Sequence, residues 1–159
     1  MSEKNPKKQA LVERSAARLG AVQALYQMDI AGTDVGETLA QFSTRVMGED
    51  FEGGQCGEAD YRHLKEVVDG VVNQQKAIDP AVDQILDKAW PLHRLDSTVR
   101  AILRAGAFEL MFMPRVPARV AISEYVDVAD AFFGEEEPRF VNGVLNNLAR
   151  AKRPDEFKA

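Results

Sequence analysis

"ARVAISEYVDVADAFFG", residues 118–134, is the stretch on which the fold class turns. Val120, Ile122, Val126 and Val128 nearly alternate, as they would along a strand. A helical template fits as well. Ala121, Tyr125, Val128 and Phe132 share one stripe, and Ile122, Val126, Ala129 and Phe133 lie beside it. Length and alanine content favour the helix, with Pro117 at its start and Gly134 as a stop signal.

Both flanks then read as helices. Downstream, "GEEEP" places acids before Pro138, where the positive end of a following helix favours them. In "RFVNGVLNNLAR" (139–150), Phe140, Val141, Val144, Leu145 and Leu148 form one apolar stripe. Gly143 weakens that helix by about 1 kcal/mol relative to alanine, so it is expected to mark a close-packing point. Asn142 is expected to be buried or half-buried and bonded to a neighbouring backbone, with Asn146 and Asn147 facing solvent. Upstream, Asp96 or Ser97 caps "TVRAILRAGAFELMFM", whose stripe is Val99, Ile102, Leu103, Gly106, Leu110 and Met113, and Pro114 ends it.

Further upstream, Asp79 reads as the cap of a helix with Pro80 in its first turn, ending near Trp90-Pro91. Trp90 is expected to be an anchor between two halves of the core. A third helix fits Ala59 to about Lys76, a second fits Glu37 to Met47, and the first runs from Pro6, or more safely Ala10, to about Asp29. "AGTDVG" breaks the first helix, and the glycines from Gly48 to Gly57 suggest a solvated loop. The expectation is an all-α chain of about seven helices in two small packed helical bundles. It forms one domain over 1–159, with halves at about 6–78 and about 79–152.

The totals agree with such a domain. The chain has 159 residues, 45% hydrophobic and 28% charged, and its one cysteine, Cys56, cannot form an internal disulfide. No apolar run approaches 18 residues, and the N-terminus lacks a signal-peptide core, so a cytoplasmic location with no membrane contact is expected. The net charge of −5 by itself argues against a nucleic-acid binder. Up to Met28, however, five bases face two acids, a net +3 that permits a local basic patch.

Few residues suggest catalysis. The histidines are His63 and His93, and Asp60-x-x-His63 is a single carboxylate–imidazole pair without the second copy a di-metal bundle needs. His63 reads as an exposed histidine on a polar face. Cys56 lies among acids, which disfavour a thiolate. No phosphate-binding glycine loop or nucleophile elbow is present. No catalytic residue, metal or cofactor is expected. Binding is better supported. Lys7, Arg14 and Arg18 return to one face of the first helix, with Lys8 about one residue round. Val12, Leu19, Val22 and Tyr26 form a separate apolar seam. Cations at that density can hold a few phosphates.

"ARLGAVQALYQMD" (17–29), "AILRAGAFEL" (101–110), "VAISEYVDVADAF" (120–132) and "FVNGVLNNL" (140–148) together resemble the bacterial transcription antitermination factor NusB family, in its order and spacing. The resemblance implies a fold of two helical bundles and a factor that pairs with NusE, also a small-subunit ribosomal protein. The pair would bind single-stranded boxA RNA, chiefly of ribosomal RNA transcripts. It would suppress premature termination on an RNA polymerase elongation complex with other Nus factors.

By the same resemblance, Arg14 and Arg18 match RNA-contacting arginines. Ser15 stands where many members have a third, and Lys7 and Lys8 supply nearby cations. Arg139 and Phe140 match contacts at the start of the last helix, a cation for phosphate and a ring to stack on a base. Glu135, Glu136 and Glu137, just before them, should repel RNA. Tyr26 matches the NusE face, and Val99 falls in its fourth–fifth helix region. Arg104 and Glu109 read as structural, either ion-paired or capping neighbours.

Two other functions compete. One is a helical interaction adaptor without RNA binding. The other is the NusB-like RNA-binding domain of a ribosomal RNA cytosine methyltransferase, which would need a methyl-donor domain after Ala159. The oligomeric state is open, and a homodimer hiding the RNA face is among the states allowed.

Overall fold

Residues 118–132 form a helix, which settles the question raised by their near-alternation. The computed structural model describes residues 6–48 and 58–158, with side chains described for 14–42 and 61–158. Among these residues there are six α-helices and no strand: α1 (Pro6–Ala31), α2 (Val35–Gly48), α3 (Glu58–Ile85), α4 (Ser97–Phe112), α5 (Ala118–Phe132) and α6 (Glu136–Lys152). Two short 3-10 turns, Leu92–Arg94 and Pro154–Phe157, complete the described chain.

Local chemistry explains most of the boundaries. Gly32 ends α1 at φ +69°, a conformation glycine adopts without a Cβ clash, and its N–H bonds Met28 O at 2.9 Å. Asp34 precedes α2 and accepts from Glu37 N at 2.9 Å. Asp96 caps α4, accepting from Thr98 N and Val99 N. Glu136 and Glu137 occupy the first turn of α6, at the positive end of its dipole. Beyond α6, Arg153 donates to Pro114 O and Val116 O, and Glu156 accepts from Ala118 N at 2.9 Å. The C-terminal turn thereby fastens the α4–α5 connection.

The expected helix start at Asp79 does not occur. α3 runs unbroken through Pro80, so the described residues hold six α-helices where about seven were expected of the chain. An interior proline costs about 3 kcal/mol, but Pro80 lies on the exposed side of α3. Ile78, Val82 and Leu86 are buried on either side of it and hold the helix together. Instead of capping, Asp79 forms a two-pronged ion pair with Arg104, Nε–Oδ1 3.0 Å and Nη2–Oδ2 2.9 Å. Trp90 is not a core anchor either. It is 61% exposed, and Leu92 fills the interior at that turn.

α4 is the central helix, packed against α1, α3, α5 and α6. Its residues from Ala101 to Leu110 are buried on every side except at Arg104. The close approaches fall at glycines other than the one expected. A Cβ on Gly70 would lie 2.1 Å from Phe108 Cζ, and one on Gly106 would lie 2.9 Å from Leu145 Cδ1. Gly143 has nothing within 4 Å of the same construction, so it marks no close contact. Asn142 is exposed, and both its Oδ1 and its carbonyl accept from Asn146 Nδ2 within α6. Because Gly143 sits in open space inside a helix, Gly143→Ala should stabilise the protein by up to about 1 kcal/mol. Urea denaturation checks this, and a loss of stability would place a neighbour against that face.

Candidate nucleic-acid interface

The first helix splits the expected basic stripe. Arg14 is exposed, whereas Arg18, one turn further in, is only 2% exposed. The same face is open at residue 14 and covered at residue 18. The side chains of Lys7 and Lys8 lie outside the described residues, as does Cys56. Arg18 is committed to the interior. Its Nε and Nη2 reach the two carboxylate oxygens of Glu109 at 2.9 and 3.0 Å, and Nη1 lies 3.4 Å from Glu124 Oε1. This corrects its expected place on an RNA surface, because a guanidinium so buried and so paired offers phosphate nothing.

Four helices meet at Glu109. Besides Arg18 from α1, Tyr125 Oη of α5 donates to Glu109, and His63 Nε2 of α3 lies 3.3 Å from it. His63 is therefore largely buried and bonded, not an exposed residue on a polar face. At the outer edge, Ser15 Oγ donates to Glu124 Oε2 at 2.7 Å. Burial pushes the Glu109 carboxyl up, but hydrogen bonds from His63 and Arg18 and the Arg18 charge outweigh it and hold it down at about 2. Burial, reinforced by the Glu109 charge, pushes the Tyr125 phenol well above its usual range. Burial alone would lower Arg18, but Glu109 more than reverses that and raises it.

The start of α6 is open. Arg139 is 83% exposed, with only a long 4.0 Å approach to Glu135. Phe140 is 38% exposed, although its neighbour Val141 is fully buried. A ring at this edge can rest on the core and still present one face outward. Glu135 and Glu136 are exposed beside it. Both α1 and α6 pack on α4 and α5.

The other end of α1 presents Tyr26 at 40% exposure and, unforeseen from the sequence, the more exposed Ile30. Asp29 between them pairs with Arg100 of α4, Oδ2–Nη2 2.6 Å. Arg100 also donates to the carbonyls of His93 and Leu95. Val99 is only 5% exposed, so little of it is left for a partner to touch.

The chain matches the NusB family over residues 15–150. It belongs to that family. Among its relatives, the transcription antitermination protein NusB of Rhodopseudomonas palustris (strain HaA2) is 51% identical over 144 residues, covering 91% of this chain and 85% of that protein. The NusB of Bradyrhizobium diazoefficiens is 48% identical, covering 99% of this chain and 98% of that protein. Thermotoga maritima NusB shares the fold, with TM-score 0.76 at 24% identity over 99% of this chain and all of that one. A chain from a crystal structure of antitermination factors NusB and NusE with double-stranded RNA has TM-score 0.74. It is 28% identical over 87% of this chain and 97% of that one. By family this chain is a transcription antitermination factor and not an enzyme.

Within this NusB-family chain, sequence reading missed the buried cluster, although one signal was available. Glu109 is an ionisable residue in a helix that has almost no polar face. A buried carboxylate needs donors, and an arginine flanked by the apolar positions of α1 was the available one. Arg104 and Glu109 are both ion-paired, with Asp79 and Arg18 as their partners.

Proposed function

We propose that this chain binds single-stranded boxA-type RNA together with NusE and so suppresses premature termination, chiefly of ribosomal RNA transcripts. It would act on an RNA polymerase elongation complex with other Nus factors. One observation carries the reading. The first turn of α6 presents an open cation, Arg139, beside a half-open ring, Phe140, in a chain related to a NusB seen with NusE and RNA. A phosphate-binding cation next to a stacking surface is the general chemistry of single-strand recognition. Arg14, Lys7 and Lys8 supply further cations from α1, Arg18 supports from inside, and Tyr26 with the edge of Val99 belongs to the NusE face.

The test is binding of a short boxA-like RNA, with and without NusE, across a salt series. Arg14→Ala and Arg139→Ala should each flatten the salt dependence by about one unit. Phe140→Leu keeps apolar volume but loses the ring. It should weaken binding by roughly 1–3 kcal/mol, with thermal stability held. An unchanged slope in the double arginine variant would remove both from the RNA site. The adaptor reading draws on the exposed Glu135 and Glu136 beside Arg139. It predicts NusE binding with no salt-dependent RNA binding at all.

A further inference from the structure

We propose that the Glu109–Glu124 cluster is a positioning device, which sets the rotation of the first turns of α1 and so aims Arg14 at RNA. This rests on the RNA-binding reading above. Leu19 and Met28 of α1 pack partly buried against the core, and the buried apolar residues among its described side chains, none ahead of Ala17, are Ala17, Ala21, Val22, Ala24 and Leu25. Three of these five are alanines. Alanine faces let helices approach closely, but they offer few protruding side chains to lock a helix against rotation or sliding. Ahead of Ala17, Ser15 is held by Glu124, and Arg18, one residue after Ala17, is held by Glu109 and Glu124. A two-pronged guanidinium–carboxylate pair fixes direction as well as distance. Tyr125 and His63 hold Glu109 from α5 and α3, so the reference point is tied to three helices besides α1. The polar cluster therefore fixes an orientation that the apolar face of α1 leaves loose, and Arg14 projects from the turn it fixes.

Glu124→Gln tests this at the rim, with Glu109→Gln as the interior variant. Neither removes a cation. Loss of a negative charge near RNA should by itself strengthen binding. Positioning predicts the reverse: RNA affinity falls by roughly 3- to 30-fold, the range of changes made away from a ligand. The salt dependence flattens by about one unit, as if Arg14 were deleted, and Glu124→Gln adds nothing further on an Arg14→Ala background. NusE affinity, read at the Tyr26 end about 18 Å along the helix, stays unchanged. Equal losses of RNA and NusE binding, or unchanged RNA binding in folded variants, would overturn the proposal.

A readout without RNA separates this proposal from the reading beneath it. With Cys56→Ser, nitroxides at Arg14→Cys and at the exposed Asp130→Cys of α5 should give a distance distribution that broadens with Glu124→Gln. An unbroadened distribution refutes positioning whether or not the wild-type chain binds RNA. Broadening in a chain that binds no RNA refutes only the RNA reading.

Discussion

Glu109→Leu is expected to destabilise the protein by about 3–5 kcal/mol, and Arg18→Ala by a similar amount, because each takes away the two-pronged partner of a buried charge, leaving Arg18 only the 3.4 Å approach to Glu124 and Glu109 only Tyr125 and His63. Urea denaturation of both variants checks this. Arg18→Met combined with Glu109→Leu removes the orphaned charges together and should recover part of the loss, the buried Tyr125 hydroxyl being left without its acceptor. A double variant as unstable as the two losses added would show that the pair acts independently at each end. The pH profile gives a second check. Folding holds the Glu109 carboxyl near 2 against an ordinary 4.5. A lowered carboxylate contributes stability that is fully present above the ordinary value. That stability is lost as pH falls from 4.5 towards 2, about 3 kcal/mol for a shift of this size. Tyr125 acts in the opposite sense. Its raised phenol contributes below pH 10, and that part is lost as the solution becomes more alkaline. Glu109→Leu should therefore flatten the acid limb, and Tyr125→Phe should flatten the alkaline one.

Periodicity and capping made the helices legible. Asp96 and the acids of α6 act through one or two turns of chain, and such local chemistry can be read from order alone. Pro80 was misread because a local stop signal was overridden by burial on both sides of it, which depends on what α3 packs against. The same limit applies to the site. Arg14, Arg139 and Tyr26 lie exposed, as a surface role requires. Arg18 does not, because the helical stripe it shares with Arg14 passes under covering helices within one turn. Spacing gives a residue's face. It does not give how far along that face the neighbours reach. The two asparagine–glycine expectations in α6 failed for a related reason, since a weak helix former needs a compensating contact only if a neighbour is there.

Gly70→Ala is the clearest case in which a neighbour decides the sign. In an open helix alanine would gain about 1 kcal/mol over glycine. At position 70 its Cβ would meet three atoms of the Phe108 ring at 2.1, 2.2 and 2.6 Å, far inside contact distance. The ring has little freedom to yield. Phe108 is buried on the central helix and stacks on Phe112 with centroids 5.6 Å apart. Either the ring leaves its rotamer or α3 moves away from α4, and overpacking of this kind costs about 1–3 kcal/mol. We expect Gly70→Ala to be destabilising overall by that amount, against the propensity gain. The cause is tested by coupling. Phe108→Leu alone should destabilise, but on that background Gly70→Ala should cost little or become favourable, because the far end of the ring is gone. Equal effects of Gly70→Ala with and without the ring would mean that the α3–α4 backbones, not Phe108, set the spacing of the central helix.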